Sequence, residues 1–141
     1  MTHLFPASVV GSMPRSDFVR DLVTDQDTTD PEATRQRMDA AVRYVVALQE
    51  RAGLDVVTDG EWRRRSYIGV IAELAHGFEI SRFPDGRTQT VVTDRLAPRA
   101  PGFIAEEIRF LRGITDRKVK ATLPAPALLG ERLWDPEKSA A

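Results

Sequence analysis

Residues that could bind or react with a ligand follow two strand-like apolar segments of the chain. Asp59-Gly60-Glu61 comes directly after residues 54–58, and Gly11-Ser12 follows residues 7–10. Backbone amides around Gly11 and Ser12, together with the serine hydroxyl, could bind a carboxylate, and Glu61 could accept an ammonium group. These two functions would recognise the α-substituents of an amino acid.

A purely structural role for the same residues is the alternative. Gly11 would then serve a tight turn, and Glu61 would cap a helix or form a salt bridge, because charged groups are common at strand ends. Residue types and spacing leave both interpretations open.

Three consecutive arginines, Arg63-Arg64-Arg65, follow the acidic segment. Residues adjacent in sequence point in different directions, so they cannot all face one site. We expect one arginine to pair with Glu61 or Asp59 and the others to be solvated. No further basic residues extend the run, and the net charge is −1, which argues against a nucleic-acid partner.

Other side chains that could hold a cofactor are few. His3 and His76 are the only histidines and there is no cysteine, so no zinc site is predicted within the chain. We expect His76 to lie at a helix end. Trp62 and Trp134 could stack on a planar heteroaromatic ligand, although packing against the core is the commoner role of tryptophan.

The elements that must position these residues begin with a long helix. Asp30 is a good N-cap, Pro31 suits the first turn, and Gly53 is a typical helix stop. Between them apolar residues recur at helical spacing: Met38, Ala41, Val42, Val45, Leu48 and Ala52. A helix, a glycine and then a strand at residues 54–58 predict a βαβ unit with a parallel sheet, whose ligands bind at the carboxyl ends of the strands.

The remaining segments are predicted from periodicity and turn residues. A short helix should follow Ser16, and a polar stretch at residues 25–29 should end it. A further helix is expected from Tyr67 to about His76-Gly77, then a β-hairpin-like excursion over residues 78–93 around Pro84-Asp85-Gly86. Irregular structure at residues 95–102, a helix at 103–112, a strand at 118–123 and a helix or loop from Leu128 complete the α/β pattern.

Bulk properties indicate one cytoplasmic domain. The 141 residues can bury one core, and 42% hydrophobic and 29% charged residues are ordinary for a soluble protein. The amino terminus lacks the features of a secretory signal, no apolar run reaches membrane-spanning length, and the absence of cysteine fits a reducing compartment. We therefore expect neither a membrane nor a nucleic-acid partner.

Three motifs in order resemble those of a known family. Val9-Val10-Gly11-Ser12-Met13-Pro14, the segment from Gly53 to Arg63, and the segment from Lys118 to Pro126 are similar to the catalytic domain of cobalamin-independent methionine synthase and its shorter core-type relatives. The resemblance runs through essentially the whole chain. Epoxyalkane:coenzyme M transferases and other zinc-dependent thiol alkyltransferases have similar segments, so the resemblance leaves the substrate open.

The resemblance implies a (β/α)8 TIM-type barrel. Such a barrel takes roughly 250 residues, so residues 1–141 would form an incomplete barrel, its N-terminal half, with the excursion at 78–93. The implied reaction transfers a methyl group from methyltetrahydrofolate to the zinc-activated thiol of homocysteine, in methionine biosynthesis. The zinc ligands would lie outside this chain, which alone should be inactive.

The resemblance also assigns residues. Val10, Gly11 and Ser12 would hold the backbone groups of a homocysteine-like substrate, and Glu61 would receive its ammonium. Arg95, Arg99 and Trp134 are candidates for the folate side. Three arrangements fit: a second polypeptide completing the barrel, a homo-oligomer, or a non-catalytic half-barrel that binds or assembles.

Overall fold

The computed structural model describes residues 4–24, 30–82, 85–99 and 101–139, without the side chain of Thr88. The chain divides into two compact units, one formed by residues 1–65 with 104–122 and the other by residues 66–103 with 123–141. The helices and strands of the described residues are, in chain order, α1 (Asp17–Thr24), α2 (Pro31–Arg51), β1 (Val56–Val57), α3 (Val70–Leu74), β2 (Ala75–Arg82), β3 (Thr88–Pro98), α4 (Phe103–Arg112), β4 (Lys118–Val119) and α5 (Pro126–Leu133).

The first unit contains the predicted parallel pairing. β1 pairs with β4 in parallel, with Val56 opposite Lys118. On its other side Val56 forms a parallel bridge with Ser8. The predicted parallel arrangement is confirmed, but the regular strands are shorter than expected, because residues 7–10 form a single bridge and residues 118–123 pair only at Lys118–Val119.

Helix α2 forms as the sequence predicts. The Asp30 side chain accepts a hydrogen bond from the backbone N–H of Ala33, and Gly53 follows the helix with φ of 81°. Two positions of the predicted buried stripe are wrong, because Leu48 is 39% exposed and Ala52 is also exposed. Val46 and Gln49 are buried instead, which rotates the buried face toward β1.

The core of the first unit consists of apolar side chains from α1, α2, β1 and α4. Trp62 packs within this core and is 4% exposed, as expected for a structural tryptophan. Burial of these side chains is the main force holding the helices to the sheet. The buried apolar members are Val19, Met38, Ala41, Val42, Val45, Val46, Val57, Trp62 and Leu111.

Just beyond β1, a glutamine side chain of α2 provides the hydrogen-bond partners that a neighbouring strand would otherwise provide. Gln49 Nε2 donates to the carbonyl of Thr58 at 2.8 Å, and the backbone N–H of Thr58 donates to Gln49 Oε1 at 3.0 Å. Buried backbone groups must be paired, and here a side-chain amide provides both partners. The chain can therefore leave the sheet immediately after Val57.

The second unit contains an antiparallel hairpin of β2 and β3, which pairs Ala75 with Pro98 at one end and Arg82 with Thr88 at the other, with a register shift between His76 and Phe78. The predicted excursion at residues 78–93 is thus a hairpin, longer than expected. Residues 83–84, which include Pro84 of the predicted turn, lie outside the described residues, as does the polar stretch at 25–29.

Two predictions for the second unit are wrong. The expected helix through His76-Gly77 ends at Leu74, and His76 lies in β2 opposite Ala97. Gly77, with φ of 94°, sits at a bulge where an added Cβ would lie 2.7 Å from the carbonyl oxygen of Arg95. Glycine is therefore required for close strand approach here and not for a helix stop.

The second error is the expected irregular structure at residues 95–98, because β3 extends to Pro98; residues 99, 101 and 102 lie in neither a helix nor a strand, as expected. Helix α4 matches its predicted bounds, and the expected C-terminal helix is α5. No helix among the described residues is long and apolar enough to cross a membrane.

Candidate functional site

A strained turn places Glu61 beyond β1. Gly60 and Glu61 have φ of 68° and 58°, and the left-handed region costs a non-glycine residue roughly 1–2 kcal/mol. Hydrogen bonds hold the turn in place: the N–H of Glu61 donates to Asp59 Oδ1 at 3.0 Å, and its carbonyl accepts from Arg15 Nη2 at 2.5 Å. Strain maintained by surrounding contacts is common at functional sites.

Gly60 allows the loop after the first strand segment to pack directly against this turn. The N–H of Met13 donates to the carbonyl of Gly60 at 3.0 Å. A Cβ on Gly60 would lie 3.2 Å from both Met13 Cβ and Trp62 Cδ1. The two loops are therefore in contact where a larger residue would separate them.

The Glu61 carboxylate is the meeting point of three strand ends. It is 4% exposed. Ser12 Oγ donates to its Oε2 at 2.6 Å, and Thr122 Oγ1 donates to its Oε1 at 2.5 Å. The structure therefore brings together Ser12 and Glu61, which were predicted from the sequence, and adds Thr122, which was not.

The other predicted residues of the first loop, Val10 and Gly11, directly precede Ser12 in the sequence. Val10 is 91% exposed. Gly11 has φ of 75°, and an added Cβ would meet nothing within 4 Å, so the space around it is open. An open loop with an accessible backbone is a suitable place for a small polar ligand to bind.

The arginine run has three different environments. Arg63 pairs with Asp39 at 2.6 Å and lies over the Phe110 ring, 4.7 Å from its centroid. Arg64 is buried and pairs with Glu107, whereas Arg65 is exposed. The expectation that one arginine pairs with Glu61 or Asp59 is wrong, because Asp39 and Glu107 are the acidic partners.

Arg64 forms the most buried ion pair of the described residues. Its Nε and Nη2 donate to the two oxygens of Glu107 at 3.2 and 2.6 Å, and its Nη1 donates to the carbonyl of Thr122 at 2.7 Å. Burial alone would lower the pKa of Arg64, but the hydrogen bond and charge of Glu107, with the charges of Asp59 and Glu61, raise it. The guanidinium therefore remains charged inside the protein.

Five charged groups interact around this turn, and we call them the buried charge cluster: Arg15, Asp59, Glu61, Arg64 and Glu107. Burial lowers the pKa of Arg15, while the charges of Glu61 and Asp59 oppose that shift. Burial raises the pKa of Glu107, reinforced by the charge of Asp59 and opposed by the hydrogen bond from Arg64. The cluster thus contains three carboxyl groups and two guanidinium groups, and the charge of Arg63 also acts on Glu107.

Two atoms of this cluster are buried without a hydrogen-bond partner among the described residues, Asp59 Oδ2 and Arg15 Nε. A buried unpaired polar atom is costly, and native structures keep few of them. Asp59 Oδ1 already accepts from Glu61, so the second oxygen is the unused acceptor of the cluster.

A cavity of about 680 Å³ lies in the second unit, and we call it the hairpin cavity. It includes two of the three residues assigned to the folate side, Arg95 and Trp134. Arg99 is exposed, and its backbone N–H donates to the carbonyl of Leu74 at 2.8 Å. The lining is mainly apolar: Ile71, Ala75, Phe78, Val92, Thr93, Asp94, Arg95, Leu96, Leu129, Gly130, Leu133, Trp134 and Ser139.

A zinc site was not predicted within the chain, and the side chains described do not fit one. No group of three or more histidine, cysteine, aspartate or glutamate side chains among the described residues could hold a metal ion. The sequence also has no cysteine, the thiolate ligand that zinc favours.

Comparison with known proteins shows the family. The family model for the catalytic domain of cobalamin-independent synthase matches residues 5–132. The chain belongs to this family. The resemblance of the motifs at residues 9–14, 53–63 and 118–126 is thereby confirmed, and this cobalamin-independent synthase homologue shares its α/β fold with a solved methionine synthase.

Relatives of this synthase homologue are longer proteins. It is 28% identical over 136 residues to the 5-methyltetrahydropteroyltriglutamate–homocysteine methyltransferase of Aeromonas salmonicida, covering 89% of this chain and 18% of that protein. The Yersinia enterocolitica protein of the same name is 26% identical over 135 residues, with the same coverage of 89% and 18%. The chain thus spans about a fifth of these curated relatives.

The fold similarity extends along almost the whole chain. The B12-independent methionine synthase from Shewanella sp. W3-18-1, solved in complex with selenomethionine, matches with a TM-score of 0.73 and 25% identity. The match covers 94% of this chain and 41% of the Shewanella chain.

Proposed function

We propose that this chain forms the amino-acid-binding wall of a methyltransferase that methylates the thiol of homocysteine. One observation carries the proposal: the hydroxyls of Ser12 and Thr122, from two other strand ends, both donate to the buried carboxylate of Glu61. Each carboxylate oxygen retains a lone pair for another donor, so a carboxylate held in this way can bind an ammonium group.

The charges around the turn support a cationic ligand group. The buried charge cluster has one more carboxyl group than guanidinium, and Asp59 Oδ2 has no partner among the described residues. An ammonium bound near Glu61 would balance this excess, whereas a second anion there would be repelled.

The loop of Val10, Gly11 and Ser12 would hold the substrate's α-carboxylate and neighbouring backbone groups. Its open surface and the positive φ of Gly11 support close approach of a ligand to the backbone. The named relatives act on homocysteine, and the Shewanella structure contains selenomethionine, an amino acid with the same α-substituents. We extend that ligand class to this chain.

For the methyl donor, we propose that a folate-type molecule uses the hairpin cavity. Trp134 is 54% exposed and lines the cavity with Arg95, so a planar ring could stack on one and an anionic group could bind the other. Arg99 does not line the cavity, so the support extends to only two of the three residues first assigned.

The proposed methyl transfer includes activation of the thiol by zinc, for which the described residues contain no group of side chains that could hold the ion. In the proposed enzyme, zinc would keep the thiol deprotonated and nucleophilic, with ligands outside these residues. We further propose that the chain corresponds to the N-terminal half of a (β/α)8 barrel. A second polypeptide or a second copy is one source of the remaining strands.

Binding of L-homocysteine and of 4-mercaptobutanoate, which lacks only the amino group, tests the proposal. Glu61→Gln should weaken homocysteine binding at least about tenfold and change 4-mercaptobutanoate binding by less than about threefold, because only the first ligand loses an ionic hydrogen bond. Titration calorimetry measures both affinities, with circular dichroism to verify folding. Glu106→Gln, at an exposed position of α4, is the matched control.

Equal losses for the two thiols would contradict a role of Glu61 in ammonium binding. Tighter binding of 2-mercaptoethanesulfonate than of homocysteine would instead favour a thiol alkyltransferase related to the coenzyme M enzymes, because that thiol carries a sulfonate and no ammonium.

A further inference from the structure

We propose that Arg64 is a positioning residue that determines the specificity of the Glu61 site for ammonium-bearing ligands, acting through Thr122. The inference rests on the proposed function, since it explains how the carboxylate is aimed. The guanidinium of Arg64 donates to neither carboxylate oxygen of Glu61 in the hydrogen bonds described. The backbone N–H of Arg64 donates to the Glu61 carbonyl at 3.2 Å, and a change of side chain keeps that bond, so the positioning role concerns the guanidinium and its contact with the chain that follows β4.

The first step is the anchoring of Arg64 itself. Two of its nitrogens donate to the two oxygens of Glu107 on α4, and both side chains are almost fully buried, at 1% and 3% exposed. Such a bidentate pair fixes the plane of the guanidinium as well as its position. Lysine, with a single ammonium, cannot reproduce that geometry.

The second step connects this plane to Thr122. The remaining terminal nitrogen, Nη1, donates to the Thr122 carbonyl at 2.7 Å. That bond fixes the backbone from which the Thr122 hydroxyl extends. The hydroxyl then donates to Glu61 Oε1 at 2.5 Å, completing a path from α4 to the carboxylate.

The third step is the direction of the carboxylate. Ser12 holds Oε2 and Thr122 holds Oε1, so the plane of the Glu61 carboxylate is fixed from both sides. Loss of the Thr122 restraint would leave one oxygen held and allow the group to rotate. An ammonium needs a defined carboxylate direction, whereas a ligand without one does not depend on it.

A neighbouring arginine provides a matched control. Arg63 is also in an ion pair, at 2.6 Å from Asp39, and is 17% exposed. Its described contacts are with Asp39 and Phe110 and do not reach Thr122 or Glu61. Arg63→Lys therefore makes the same chemical change outside the proposed path.

The experiment compares the ratio of affinities for L-homocysteine and 4-mercaptobutanoate in the full chain. Arg64→Lys and Thr122→Val should each reduce the homocysteine preference about five- to tenfold, the value of one typical hydrogen bond. Thr122→Ser keeps the hydroxyl and should retain the preference within about twofold, as should Arg63→Lys. Thermal unfolding identifies any loss of folding.

The possible negative results distinguish the positioning role of Arg64 from the proposed function. A wild-type preference that survives in Arg64→Lys overturns the positioning role and leaves the proposed function intact. Absence of any wild-type preference overturns the proposed function in this chain. The positioning role is then judged without ligand, from the Glu61 carboxyl ¹³C chemical shift.

This ligand-free measurement uses the same variants. Arg64→Lys and Thr122→Val should move the Glu61 carboxyl resonance in the same direction, and Arg63→Lys should leave it in place. An unchanged resonance in Arg64→Lys, with Thr122→Val shifted, would show that Thr122 acts without Arg64 and would overturn the inference.

Discussion

The buried charge cluster and the hairpin cavity place candidate binding residues by different means. In the cluster, polar atoms are fixed by hydrogen bonds such as those of Ser12 and Thr122 to Glu61. In the hairpin cavity, most lining side chains are apolar, and the space is defined by the packing of α5 residues such as Leu133 against β3.

This difference predicts different sensitivities. Hydrogen bonds fix direction, so a small chemical change in the cluster should alter specificity or leave a buried charge unpaired. Apolar packing fixes volume, so the hairpin cavity should respond to size and tolerate changes of the same shape. The following substitutions test this comparison.

The largest effect is expected from Glu107→Ala. It removes the partner of Arg64, which is 1% exposed, and leaves an uncompensated guanidinium in the core. The free energy of unfolding should fall by about 3–5 kcal/mol, measured by urea denaturation. Glu106→Ala changes the exposed neighbour on the same helix and should cost no more than about 0.5 kcal/mol. Similar losses in both variants would contradict a special role for the pair.

A smaller effect is expected from Leu133→Ala in the hairpin cavity. Leu133 is 4% exposed, and truncation of a buried leucine costs about 2–3 kcal/mol where the site already borders empty space. Leu96→Ala, which borders the same cavity but is 52% exposed, should cost less than about 1 kcal/mol. Leu133→Met should recover most of the loss; if it does not, direction matters here as well as volume.

The smallest effect compares two glycines with positive φ. Gly60→Ala and Gly86→Ala both introduce a left-handed alanine at a cost of about 1 kcal/mol, but only Gly60 also brings a Cβ within 3.2 Å of Met13 and Trp62. We expect Gly60→Ala to be less stable than Gly86→Ala by roughly 1 kcal/mol in thermal unfolding. Equal costs would indicate that the loop carrying Met13 yields without penalty.

Local signals in the sequence predicted the framework of the first unit. Asp30 and Gly53 mark the ends of α2 because capping depends on only a few neighbouring residues. The carboxyl ends of parallel strands lie on one edge of a sheet, and that rule correctly placed Ser12 near Glu61.

The missed features depend on contacts between distant residues. Arg64 and Glu107 are 43 positions apart, and nothing local distinguishes Arg64 from Arg63 or Arg65. Thr122 was overlooked because the regular strand ends at Val119, earlier than the apolar pattern suggested.

The second unit shows the same limitation in its backbone. Gly77 suggested a helix end, but the same residue satisfies the bulge that lets β2 approach β3. Residues 95–102 were expected to be irregular, yet Pro98 pairs with Ala75 at the end of the hairpin, where a proline can be accommodated. Each of these residues is compatible with two local structures, and the pairing of β2 with β3 selects one of them.

The glutamine of α2 that pairs with Thr58 also sets a length along the chain. Gln49 and Thr58 are nine positions apart, and Glu61 follows three residues after Thr58. The pairing of Gln49 with Thr58 thereby fixes the length of chain between α2 and the Glu61 carboxylate. We expect a residue inserted beside Gly53 to lengthen this segment and to displace Glu61. The residues that contact Glu61 would keep their identities.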